Sequence, residues 1–202
     1  MSKKQVLIVV LIVILVGVCG IFWFSNFKRV SFVFSGDKKD IVLVKDDREV
    51  DHFSNDKSVW LRKGEYELNT KESDYAVMNS AFDVNKSAII NIDVIYSDRK
   101  LEELLTSEVK GKLDSIIYEK YPEQMRDFVV KEGKLFWHAE WYGVILETKT
   151  GQADGTSLPY RVVMSKNGGV WKMVGIPELV LTTNTHPNVP YEILSEINKL
   201  AL

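Results

Sequence analysis

The sequence predicts an α+β chain: an N-terminal transmembrane helix, a small β-module, and a domain of helices packed on a curved antiparallel sheet. Three observations lead there. Nineteen consecutive uncharged residues run from Val6 to Phe24. Short β-branched and aromatic runs, separated by Gly and Asp turns, then extend to about Val84. Beyond Ser87 a strand leads into a long apolar helical stripe, followed by three long strands.

As a helix, Val6 to Phe24 covers roughly 28 Å at 1.5 Å per residue, close to the ~30 Å of a bilayer's hydrocarbon core. A cleaved signal peptide has a shorter apolar core, about 7 to 15 residues, and a small-x-small cleavage site. Val18-Cys19-Gly20 is a poor version of such a site, and Ile21, Phe22, Trp23 and Phe24 continue the apolar run beyond it. Residues 1–25 are therefore read as an uncleaved anchor. Lys3 and Lys4 favour a cytoplasmic amino terminus, although Lys28 and Arg29 nearly balance them. The expectation is one pass through the cell membrane, with the C-terminal part extracytoplasmic.

Composition narrows the function classes. The formal net charge is −2, and no Lys/Arg-rich stretch with interleaved aromatics occurs, which argues against a nucleic-acid partner. Cys19 is the only cysteine and lies in the apolar run, so the rest of the chain has neither a disulfide nor a cysteine metal site. Stability must come from packed apolar surface, to which five Trp, eight Tyr and nine Phe contribute.

Residues 29–84 read as the β-module. Val30 to Phe34, the turn residues Ser35-Gly36-Asp37, and Ile41 to Val44 form a hairpin-like pair. Ser58 to Leu61 and Glu65 to Leu68 flank Arg62-Lys63-Gly64, where glycine suits a tight turn. The segment Leu61 to Thr70 (LRKGEYELNT) resembles the turn-strand signature of PEGA-like envelope modules.

Residues 87–202 read as the second domain. Ala88 to Tyr96 is a β-branched strand, and Ser97-Asp98 can cap a helix whose stripe runs through Leu101, Leu104, Leu105, Val109, Leu113, Ile116, Ile117 and Tyr121. Its polar face mixes signs, as a core-facing helix requires. Pro122 opens a second short helix carrying Met125, Phe128 and Val129 as far as Gly133. Strands are expected at roughly Lys134 to Thr148, Pro159 to Ser165 and Val170 to Leu181. The first would send Leu135, Trp137, Ala139, Trp141 and Ile145 to one face and Phe136, His138, Glu140, Tyr142 and Val144 to the other. Thr150 to Thr156 is a polar loop, Lys166 to Gly169 a hairpin turn, and Tyr191 to Leu202 a last helix after a Pro-containing linker.

Helices followed by a long meander, with Asn167 to Leu179 (NGGVWKMVGIPEL) on the last hairpin, resemble the NTF2-like, cystatin-type fold over about Ala88 to Leu181. That resemblance implies a sheet wrapped around a helix, leaving a conical pocket that some relatives use for catalysis and others only for docking. One span joined to such a domain is similar to the VirB8-like proteins of secretion and conjugation machines. The β-module departs from that pattern and brings the chain nearer to TcaA-like envelope proteins, whose cysteine-bearing zinc ribbon it lacks.

Chemistry candidates are few. His138 and Glu140 stand two apart on one expected strand face, the spacing of an acid/base pair or the start of a metal site, with His52 and His186 distant in sequence. Asp93 and Glu147 are nominees for a carboxylate projecting into the pocket. No G-x-S-x-G nucleophile elbow occurs. The expectation is a membrane-anchored, non-catalytic binding or scaffold protein of the cell envelope. It would use no cofactor, attach to the membrane through one N-terminal helix, take a protein or cell-wall partner, and be able to self-associate. The alternatives are a secretion-machine component and a small-molecule-binding or enzymatic pocket.

Overall fold

The computed structural model describes residues 3–149 and 159–200, the side chains of Lys3, Lys4, Val6, Leu7, Cys19, Ile21 and Phe24 excepted. The polar loop expected at Thr150 to Thr156 lies outside the described residues. Contacts divide the chain into two units, Met1–Ile95 and Tyr96–Leu202.

The expected fold class needs correction on two counts. The chain is mostly β-sheet rather than α+β, with thirteen strands in four sheets among the described residues. Among the same residues, no helix is long and apolar enough to cross a membrane, which overturns the transmembrane helix and with it the single-pass signal-anchor. Helix α1 (Lys3–Asn26) occupies that stretch. The side chains of Ile8 to Val16 and of Val18 on this helix are exposed.

The first unit continues with β1 (Phe27–Phe34), β2 (Ile41–Lys45), β3 (Arg48–Phe53), β4 (Lys57–Arg62), β5 (Gly64–Thr70), β6 (Tyr75–Val77), β7 (Ala81–Val84), β8 (Ala88–Ile92) and β9 (Val94–Tyr96). Sheets β4-β1-β8 and β3-β2-β5-β7 share one core, built on Val30, Phe32, Ile41, Leu43, Leu61, Tyr66, Leu68 and Ile92. Phe32 stacks on Phe53 with ring centroids 4.9 Å apart. β1 does not form a hairpin with β2: it pairs antiparallel with β4 and parallel with β8. The connection after Phe34 carries the chain into the opposite sheet, so that the apolar positions of β1 and β2 meet across the core instead of side by side. β4 and β5 likewise belong to different sheets, and Gly64, at φ 135°, turns the corner between them.

The second unit comprises α2 (Asp98–Leu104), α3 (Ser107–Lys120), a 3-10 turn at Gln124–Arg126, β10 (Phe128–Phe136), β11 (Trp141–Thr148), β12 (Tyr160–Asn167), β13 (Val170–Glu178) and α4 (Tyr191–Lys199). The strands form one antiparallel meander in chain order. Ser97 caps α2, its hydroxyl accepting from the Lys100 N–H at 3.4 Å. The single helical stripe read from the sequence is broken at Thr106, whose hydroxyl accepts from the Val109 N–H and starts α3. Phe128 to Gly133, expected as helix, is the first half of β10.

The first expected strand is a hairpin. Trp137 and Ala139 adopt φ of 58° and 59°, and the turn across Trp137 to Glu140 pairs Leu135 with Tyr142 and Phe136 with Trp141. Four turn residues reset the alternation, so Leu135, Tyr142 and Val144 share one face while Phe136 and Trp141 share the other. The first face packs under α2 and α3 through Leu101, Leu113 and Ile117, and the second under α4 through Ile193, Leu194 and Ile197. Gly143 lets α4 come this close, since a Cβ there would lie 2.7 Å from Ile197 Cδ1. Gly143→Ala is expected to destabilise the protein by about 1–3 kcal/mol, the usual cost of overpacking. Urea unfolding checks this, and adding Ile197→Ala should recover part of the Gly143→Ala effect.

Candidate functional site

A concavity of the second unit lies between α2, the start of α3 and β10. Leu101, Leu105, Leu135 and Leu200 line it together with Glu102, Lys110, Glu132, Gly133 and Lys134, around a volume of about 690 Å³. The leucines arrive there for a structural reason. Leu101 is the buried anchor of α2, Leu105 is its C-cap, and Leu135 faces the helices across β10. The charges stand on the rim. Lys134 Nζ is 3.0 Å from Asp98 Oδ1, which ties β10 to the first turn of α2.

Beside this cleft, Lys110, Asp114 and Tyr142 form a chain. Tyr142 is fully buried, and its hydroxyl donates to Asp114 Oδ1 at 3.3 Å, while Lys110 Nζ lies 3.7 Å from Asp114 Oδ2. Burial pushes the Asp114 carboxyl above its ordinary value of 3.8, against the opposing pull of Lys110 and of the Tyr142 hydrogen bond. Burial also raises the Tyr142 phenol, with the Asp114 carboxylate adding to the effect. The phenol is spent on Asp114 and has no exposed surface, so the chain of groups holds α3 to β11 and sets the wall of the cleft. A carboxylate perturbed by burial beside a concavity is a candidate functional group, although structural ion-pair networks perturb carboxylates in the same way.

The residues nominated from sequence lie elsewhere. His138 and Glu140 share the β10–β11 turn. The His138 ring meets Tyr96 edge-on at 5.3 Å, and Glu140 is exposed. Glu147, on β11, pairs with Lys131 at 2.6 Å. Asp93 belongs to the first unit, exposed between β8 and β9, where its carbonyl accepts from the Met78 N–H at 2.9 Å. The structure thus joins His138 only to Glu140, and by chain proximity alone. His52 pairs with Glu49 at the surface, and His186 is buried beside Thr185. Among the described residues, no group of three or more His, Cys, Asp or Glu is placed to hold a metal ion.

Asp114 was missed by sequence reasoning, although it left a signal: it stands four residues after Lys110 and three before the buried Ile117, on the flank of the apolar stripe. Tyr142 read only as one of a strand's alternating residues. No protein-family model matches the chain, and neither curated proteins nor solved structures yield a significant match.

Asp114 makes stability depend on pH in a stated direction. Its folded-state carboxyl holds a proton more tightly than the unfolded one, so just above pH 3.8 the folded state binds more protons and stability falls as pH rises through that window. Asp114→Asn keeps an acceptor for Tyr142 and removes the titration. Urea unfolding across a pH series should show a flatter stability profile for Asp114→Asn than for the wild type in that window.

Proposed function

We propose that the chain is a non-catalytic binding or scaffold protein whose second unit holds a protein partner in the cleft between α2, α3 and β10. The observation that carries this is the make-up of the cleft: Leu101, Leu105 and Leu135, with Leu200 from the end of α4, lined beside Glu102, Lys110, Glu132 and Lys134. An apolar floor supplies the burial that drives association, and a rim of mixed sign supplies register and orientation without a large net field. Both rim cations are already anchored, Lys110 to Asp114 and Lys134 to Asp98, so their ordering cost is largely met before binding. The Ser97 hydroxyl caps α2 by accepting from the Lys100 N–H, which steadies the helix that carries Leu101.

A small-molecule or enzymatic pocket is the second reading, and the raised carboxyl of Asp114 is the observation that favours it. The burial of Tyr142 weighs against it, because the phenol that would complete an acid/base pair is out of a ligand's reach.

Photo-crosslinking distinguishes a partner in this cleft from contact elsewhere. A photoreactive residue at Glu102 should capture a protein that the same residue at Glu119, on the exposed side of α3, does not. Glu132→Lys, an exposed rim change that leaves the leucine floor intact, should lower that capture roughly tenfold, equivalent to about 1.4 kcal/mol. Equal capture from both positions, or capture unchanged by Glu132→Lys, would defeat the reading.

A further inference from the structure

The first unit carries a second cleft of different chemistry, of about 580 Å³, lined by Phe27, Lys45, Asp46, Val50, Trp60, Leu61, Arg62, Lys63 and Tyr66. Three cations and one carboxylate line it, although the unit as a whole carries equal numbers of basic and acidic residues. The excess of positive charge is therefore local to the cleft. Arg62 and Lys63 are exposed, and neither is ion-paired among the described residues. Trp60 leaves 49% of its surface open.

Lys45 is held in place by the fold. Its ammonium donates to the Lys63 carbonyl at 3.0 Å and to the Tyr66 hydroxyl at 3.4 Å, and it sits 4.6 Å from the centre of the Tyr66 ring. The Tyr66 hydroxyl in turn donates to the Arg62 carbonyl at 2.7 Å. Gly64 makes the room: a Cβ there would lie 2.8 Å from Lys45 Nζ. Two of the ammonium's three protons are committed to the Lys63 carbonyl and the Tyr66 hydroxyl, and no third acceptor for it occurs among the described residues.

We infer that this cleft binds a phosphorylated sugar, with Lys45, Arg62 and Lys63 on the phosphate, Trp60 against the ring and Asp46 on hydroxyls. Each part of the lining meets a different part of that ligand. A guanidinium and two ammonium groups form charge-assisted hydrogen bonds to phosphate oxygens. The indole face offers flat apolar surface to the C–H face of a pyranose. The Asp46 carboxylate would repel a ligand that is only an anion, but it accepts hydrogen bonds from sugar hydroxyls. A purely apolar ligand would leave the three cations without use. This site lies in the other unit from the partner cleft and stands independently of that reading.

Isothermal titration of the full chain with glucose 6-phosphate, glucose and inorganic phosphate tests the inference, with a phosphodiester-linked sugar polymer as a fourth probe. Saturable binding is expected of glucose 6-phosphate or of the polymer, at least tenfold tighter than for glucose or for inorganic phosphate. If glucose 6-phosphate binds as tightly as the polymer, the source is a free sugar phosphate, whereas tighter polymer binding assigns it to a polymer repeat. Arg62→Gln with Lys63→Gln should weaken binding at least tenfold, and Trp60→Ala should do the same without changing the weak affinity for inorganic phosphate. All three side chains are exposed, so circular dichroism should show the folds intact. Saturable binding of neither phosphorylated probe, inorganic phosphate binding as tightly as either, or affinity unchanged in both variants would overturn the proposal.

Discussion

The seating of Tyr142 against the bare backbone of Gly133 is the constraint on which the second unit depends. A Cβ at Gly133 would lie 2.6 Å from the Tyr142 ring, so the ring can enter only where β10 has no side chain. Gly133 sits where the β10–β11 register shifts, past an irregularity that begins at Val130. That bulge and that glycine together bring a fully buried phenol under α3, within reach of Asp114. On the face of β11 opposite Tyr142, Gly143 admits Ile197 of α4. β11 is thus covered on both sides, and its run from Tyr142 to Leu146 is buried without a break. A strand buried on both faces loses the alternation of apolar and polar residues that marks a half-exposed one.

The cleft between α2, α3 and β10 is a consequence of that arrangement. Tyr142 and Asp114 fix α3 over the sheet, Asp98 and Lys134 fix α2 to β10, and the space left between the two helices and the strand is floored by leucines. The break at Thr106 opens it, because one continuous helix would keep Leu105 in the same stripe as Val109 and Leu113. A threonine side chain capping a new helix costs little and redirects the chain. The cleft of the first unit has a comparable origin. Gly64 turns the chain from one sheet to the other and, having no Cβ, leaves the space that the Lys45 ammonium occupies. In both units a glycine required for packing also shapes a concavity.

Legibility followed the range of the interaction. Ser97 as a helix cap, the hairpin turn near Gly168-Gly169 and the last helix from Tyr191 could be read because each is decided within a few residues. Strand partners could not be read in this way. β1 and β2 look like a hairpin in sequence, yet β1 pairs with β4 and β8, a choice set by which apolar faces meet in the core. The turn at Trp137 to Glu140 was hidden because it contains no glycine or proline, and its positive φ values fall on Trp and Ala. His138 and Glu140 were therefore placed on a strand face that does not exist. The transmembrane expectation was drawn from the apolar run alone, and among the described residues no helix meets the length and apolarity that a crossing requires.

By itself the sequence determined what local chemistry can decide: the cap at Ser97, the glycine turn at Gly168-Gly169, the last helix from Tyr191, and that the chain beyond its apolar run holds no cysteine. Tertiary structure alone decided how the strands sort into sheets, that β11 is buried on both faces, and that Asp114 meets Tyr142 beside a leucine-floored cleft. The reason is physical. Caps and turns depend on neighbours along the chain, whereas burial, register and the perturbation of a carboxyl depend on groups far apart in sequence whose meeting no local pattern records.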